Sequence, residues 1–189
     1  MLAANAEDDT GSINQKKGMN MKSPLRWVAA ATFVALFGVD SGARAQESEI
    51  KLDQVPKAVM DAANAKFPGA KIREAAKETE DNRTLYELEL SHEGHNMDVS
   101  FQEDGTLVVV ETQLTDNEVP EAVSAAVKAK YPDAKIKLVE SVKKGPKVKK
   151  EVDYYEFHLT TADRKSAEVE VDGNGKILET EGKKAQEKD

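Results

Sequence analysis

The sequence predicts an α+β fold made of two tandem repeats, each one helix packed on a roughly four-stranded antiparallel sheet. Three observations carry that expectation. The chain matches itself when shifted by 64 residues, each copy opens on a short apolar stripe at helical spacing, and the rest of each copy alternates with period two. Val55-Pro56-Lys57-Ala58-Val59 meets Val119-Pro120-Glu121-Ala122-Val123, and Ala65-Lys66-Phe67-Pro68-Gly69-Ala70-Lys71-Ile72 meets Ala129-Lys130-Tyr131-Pro132-Asp133-Ala134-Lys135-Ile136. Over positions 55–72, 11 of 18 residues are identical. After small length changes, Tyr86-Glu87-Leu88-Glu89-Leu90 matches Tyr155-Glu156-Phe157-His158-Leu159, and Asp98-Val99 matches Glu168-Val169. The expected boundaries are 1–45 for an export signal, 46–114 and 115–182 for the two repeats, and 183–189 for a disordered tail.

The N-terminal segment reads as a secretory signal. Lys22 and Arg26 are its charged region, Trp27–Gly38 is an apolar run of 12 residues, and Ala43-Arg44-Ala45 is the small–x–small pattern that places cleavage between Ala45 and Gln46. Twelve helical residues rise only about 18 Å, short of the ~30 Å hydrocarbon core, so a cleaved signal is expected rather than an anchor. Met1 to Asn20 is polar and unpatterned, and a start at Met19 or Met21 would give a more ordinary signal. Mature protein that retained residues 1–20 in mass spectrometry would overturn that start. No second apolar stretch is long enough to span a membrane after cleavage. The expected location is periplasmic or secreted.

Each repeat opens with its helix. Asp53 and Asn117 are expected as N-caps, with Pro56 and Pro120 in the first turn, where the missing N–H costs nothing. Val55, Val59 and Ala62, and their counterparts Val119, Val123 and Ala126, line one face. Pro68 and Pro132 disfavour helical geometry at Phe67 and Tyr131 and end each helix after about three turns. Strands follow. Tyr86, Leu88 and Leu90 oppose Glu87 and Glu89, and Met97, Val99 and Phe101 oppose Asp98, Ser100 and Gln102. Tyr155, Phe157 and Leu159 oppose Glu156, His158 and Thr160, and Ala167, Val169 and Val171 oppose Glu168 and Glu170. Such alternation marks antiparallel strands with one buried and one wet face. His92-Glu93-Gly94, Asp104-Gly105 and Asp172-Gly173-Asn174-Gly175 are the turns between them.

On these residues the chain resembles the PepSY-like domain family, which is described as similar to β-lactamase-inhibitor protein. The Val-Pro-x-Ala-Val helix, the Phe/Tyr-Pro-x-Ala-Lys-Ile step into a strand and the x-Asp-Gly-x-hydrophobic hairpin carry the resemblance through residues 48–182, in two copies. It implies a secreted or periplasmic binding module, inhibitory toward an enzyme, with no catalytic residues to transfer.

Composition narrows the chemistry. The 189 residues hold 27 Lys+Arg against 35 Asp+Glu and no cysteine. Disulfides, thiolate metal sites, a cysteine nucleophile and a lipidated cysteine are excluded. Residues 1–45 hold five basic and four acidic side chains, so the mature chain keeps 22 basic and 31 acidic, net −9. That balance argues against nucleic acid as a partner. His92-Glu93-Gly94-His95 lacks the helical spacing of a zinc motif and reads as a turn, with no metal assigned. Asp172-Gly173-Asn174-Gly175 lacks the frame of a calcium loop. There is no nucleophile elbow and no phosphate-cradling loop, so neither an enzyme nor a cofactor is expected.

Two surface features remain as candidate partner-binding residues. One is the wet sheet face with Glu87, Glu89, Asp98, Glu156, Glu168 and Glu170, suited to a basic protein patch. The other is the segment Lys143–Lys150, where Lys143, Lys144, Lys147, Lys149 and Lys150 form an exposed basic loop that could steer an anionic partner. Its counterpart in the first repeat is the short turn at Asp81-Asn82-Arg83. The expected function is a non-catalytic exported module binding an envelope protein. The alternative is a sensor or carrier of a small ligand or metal ion through acidic side chains.

Overall fold

Period-two alternation becomes strand wherever a partner strand can satisfy the exposed N–H and C=O groups. In the computed structural model, which describes residues 46–80, 83–146 and 151–183, nine strands do this. They are β1 (Gln46–Ile50), β2 (Lys71–Glu80), β3 (Arg83–His92), β4 (His95–Gln102), β5 (Leu107–Gln113), β6 (Lys135–Lys144), β7 (Tyr154–Thr160), β8 (Ser166–Val171) and β9 (Ile177–Lys183). Two helices interrupt them, α1 (Lys57–Lys66) before β2 and α2 (Glu121–Lys130) before β6. The expected signal at 1–45, including Ala45, and residues 184–189 of the expected tail lie outside the described residues. Gln46 is the first residue of β1, and Lys183 is the last of β9.

The strands form one antiparallel sheet in chain order, β1 to β9. This corrects the expected fold class. There are not two repeats each with a four-stranded sheet of its own, because β5 pairs with β6 and fuses all strands into a single nine-stranded, mostly β structure. The joining register runs from Val109↔Lys144 to Gln113↔Glu140. Leu114 N–H donating to Val139 O (2.9 Å) and Gly145 N–H donating to Val108 O (2.9 Å) extend the join at both ends. The physical reason is edge exposure. Two small sheets would each leave unpaired edge strands, and pairing β5 with β6 satisfies both. Sequence periodicity reports which face a residue takes and is silent about which edge finds which.

Both helices begin three residues later than caps at Asp53 and Asn117 would place them. Their N-caps are Pro56 and Pro120, in extended conformation and without a side-chain cap bond. The Pro56 carbonyl accepts the Val59 and Met60 N–H groups, and the Pro120 carbonyl does the same for Val123 and Ser124. Asp53 and Asn117 are therefore not caps, and Asp53 lies in a short 3-10 turn instead. Each helix ends as expected before its Phe-Pro or Tyr-Pro step.

Both helices pack on the same face. Val59 and Ala63 of α1 join Leu88, Leu90, Val99 and Phe101, and Val123 and Val127 of α2 join Phe157, Leu159, Val169 and Val171. Matching bulges at Ile72/Glu74 and Ile136/Leu138 start β2 and β6. Two hairpin glycines meet the helices closely. A Cβ on Gly105 would lie 2.6 Å from the Ala58 carbonyl oxygen, and one on Gly175 2.5 Å from that of Ala122. Both have positive φ (+83° and +85°), which glycine adopts without strain.

Candidate functional site

The alternation that buries valines under the helices places carboxylates on the opposite face, where the register aligns them across strands. Glu140 of β6 pairs with Glu156 of β7, Glu156 with Glu170 of β8, and Glu170 with Glu179 of β9. Beside that row, His158 pairs with Glu168, and Glu168 with Glu181. In the other half of the sheet Glu89 pairs with Asp98, and Asp98 with Glu111. Directly opposed like charges destabilise a sheet, so such an array needs compensation.

Part of that compensation is His158. Its Nε2 lies 3.0 Å from Glu156 Oε1 and 3.3 Å from Glu140 Oε2, and its Nδ1 lies 3.7 Å from Glu168 Oε1. These side chains are buried: Glu156 is 5% exposed, Glu140 8%, and His158 and Glu168 12%. Burial opposes a charged ring, but hydrogen bonds to Glu140, Glu156 and Glu168 outweigh it and hold the imidazolium up to about 11. In the first half, Arg73 serves Glu89 at 2.7 Å.

The remaining acids on this face feel both burial and one another. Asp98 is pushed up to about 7, first by burial and then by Glu140 and Glu89. Glu111 is raised well above its ordinary value by burial and by Glu140, Glu156, Glu87 and Asp98. Glu170 is raised chiefly by burial. Between these groups sits a small apolar cluster of Val109, Val142 and Tyr154. Burial and the nearby Glu170 and Glu156 also push the Tyr154 phenol up.

Glu87, Glu89, Asp98, Glu156, Glu168 and Glu170 occupy the face opposite the helices, as alternation predicts. A uniformly wet face is not what forms, since Glu156 is among the most buried polar residues described. Lys143 and Lys144 are not loop residues. They end β6, where Lys143 pairs with Val110 and the Lys144 ammonium lies 4.7 Å from the centre of the Tyr154 ring. Lys147, Lys149 and Lys150 lie outside the described residues, as do Asp81 and Asn82. His92 and His95 flank a two-residue hairpin turn, as expected. His95 Nε2 reaches Glu118 Oε1 at 2.7 Å, and Glu118 also accepts the Thr115 N–H and hydroxyl at 2.8 and 2.7 Å. These bonds hold the Glu118 carboxyl down at about 2.

Sequence reasoning missed Glu140, Glu111 and the role of His158. Glu156 and His158 are two apart in one strand, so alternation puts them on one face, while the pairing of His158 with Glu168 comes from the β7–β8 register. Glu140 required the β6–β7 register. Among the described residues, no helix is long and apolar enough to cross a membrane.

Comparison with known proteins places this geometry in context. The family described as "Putative beta-lactamase-inhibitor-like, PepSY-like" matches residues 43–109 and 92–179. No curated protein matches. Among solved structures, a DUF2874 family protein of Bacteroides uniformis is 22% identical, with a TM-score of 0.56 over 67% of this chain and 88% of its own. A BLIP-like protein of Bacteroides fragilis is 18% identical, with a TM-score of 0.55 over 70% of this chain and 89% of its own. A "putative periplasmic" protein of Bacteroides eggerthii is 21% identical, with a TM-score of 0.56 over 68% and 88%. At these identities the likeness is one of fold.

Proposed function

The chain belongs to the PepSY-like family, and from that premise we propose that it is an exported, non-catalytic binding module whose carboxylate face receives a cationic segment of an envelope protein. The observation that carries this reading is the row Glu140, Glu156, Glu170 and Glu179, in direct register across four strands, beside Asp98 and Glu111. Asp98 is pushed up to about 7 first by burial and then by Glu140 and Glu89, whose charges add to a negative potential on this face. Lysine or arginine side chains of a partner would relieve it, giving electrostatic complementarity and fast association. The family's β-lactamase-inhibitor-like description supports an inhibitory use of such binding, and the periplasmic description of a structural neighbour supports an envelope location.

The test is affinity capture from an envelope extract, comparing the wild-type chain with Glu89→Gln/Glu170→Gln at low and high salt. A partner held by this face is captured at least about tenfold less by the double variant and is released as salt shortens the screening length from ~30 Å toward ~8 Å. Capture indifferent to both changes would overturn the reading.

A further inference from the structure

The two halves of the sheet carry different chemistry at matched positions. In the first half Ala76 pairs with Glu87 and Glu89 with Asp98, and Arg73 supplies the cation at 2.7 Å from Glu89. In the second half the corresponding pairs are Glu140 with Glu156 and His158 with Glu168. A methyl group has become a carboxylate, and a carboxylate has become an imidazole. The residue 64 positions beyond Arg73 is Lys137, which is exposed. The fold accommodates both versions.

The geometry of the second version suits a metal ion. Glu140 and Glu156, each more than nine-tenths buried, both aim at the same ring nitrogen, Nε2, which carries one proton at most. Three carboxylates surround one imidazole. Ligand atoms from Glu156, His158 and Glu168 lie within 4.8 Å of one another. Bonds of about 2.0–2.2 Å to a central ion would bring them some 3–4 Å apart, within the reach of side-chain adjustment. A nitrogen donor among oxygens selects zinc-like ions over calcium and magnesium, which favour all-oxygen shells. We propose that His158, through Nε2 and with release of the proton that nitrogen carries, and Glu156, with Glu140 and Glu168 alongside, form a binding site for one divalent transition-metal ion. The site shares Glu140 and Glu156 with the row proposed to receive a partner, but it needs only four side chains of this chain and no docked segment.

The test uses the full chain, stripped with chelator and titrated with Zn²⁺ by calorimetry. One ion per chain with a dissociation constant of about 10 μM or tighter is expected. His158→Gln should weaken binding at least about tenfold, as loss of a ligand does, while His95→Gln, in the hairpin of the first half, should leave it unchanged. Should His158→Gln fail to fold, ring resonances in the wild-type protein decide the matter. Zn²⁺ should shift those of His158 and leave those of His92 and His95 in place. No uptake at about 100 μM, binding that survives His158→Gln, movement of His92 or His95 instead, or Ca²⁺ bound as tightly as Zn²⁺ would each overturn the site.

Discussion

Asp98 shows how strongly a single position can be coupled to pH. It is flanked across the sheet by Glu89 and Glu111, and Glu140 and Arg73 also act on it. Its carboxyl is pushed up to about 7 from a reference of 3.8, burial being the largest cause. Between those two values the unfolded chain has lost the proton and the folded chain keeps it. The unfolded state therefore binds fewer protons, and stability falls as pH rises through that window. Below it there is no penalty, and above it the cost is complete, worth a few kcal/mol. Asp98→Asn removes the titration. We expect the variant to melt above wild type at pH 8 and to match it near pH 4, measured by thermal denaturation at both. Equal destabilisation at the two values would show that the carboxylate is needed for a contact rather than merely tolerated. The face Asp98 takes was legible in the sequence, because Val99 and Val169 alternate with acids and are both 0% exposed. The burial of acids was not legible, since alternation assigns a side of the sheet without saying how crowded it is.

At the scale of elements, the closest constraint is between hairpin and helix. The turns after β4 and β8 press their glycines against the first turns of α1 and α2, at matching distances in the two halves. Alanine at Gly105 or Gly175 meets a backbone carbonyl that cannot yield without moving a helix, and it also takes a left-handed conformation. We expect each substitution to cost about 2–4 kcal/mol, combining backbone strain with steric displacement. Gly94→Ala is the control. Its turn has nothing within 4 Å, so only the backbone strain of about 1 kcal/mol applies. Denaturant melts of the three variants compare the two costs directly, and equal losses would mean the helices shift freely. The sequence marked these turns by their Asp-Gly pairs and placed the helix ends at Phe67 and Tyr131. It did not show the helix contact, which joins residues 47 apart in the first half and 53 apart in the second. It also misassigned the helix starts, because a proline carbonyl serves there in place of an aspartate or asparagine side chain.

For the whole molecule, the decisive feature is the β5–β6 ladder. Cutting the chain in the segment 115–118 would leave β1–β5 with α1 on one piece and α2 with β6–β9 on the other. Each piece would gain a raw edge with unpaired N–H and C=O groups. The cut would also separate Val109 from Val142 and Tyr154, and part His95 from Glu118. Pieces of this size bury only ~60% of the surface their unfolded chains expose and are marginal alone. The two new edges are complementary in register, Val109 to Gln113 against Lys144 to Glu140, so each is the best available partner for the other. We therefore expect fragments 46–114 and 115–189 to melt well below the intact chain when alone. Mixed at equal concentration, they should form a one-to-one complex whose melting temperature depends on concentration, as linked association requires. Calorimetry on the separate and mixed fragments, with sedimentation to give the stoichiometry, checks both points. Fragments that stay monomeric in the mixture and melt where the whole chain melts would show two self-sufficient sheets, and the continuous ladder would then contribute nothing to stability.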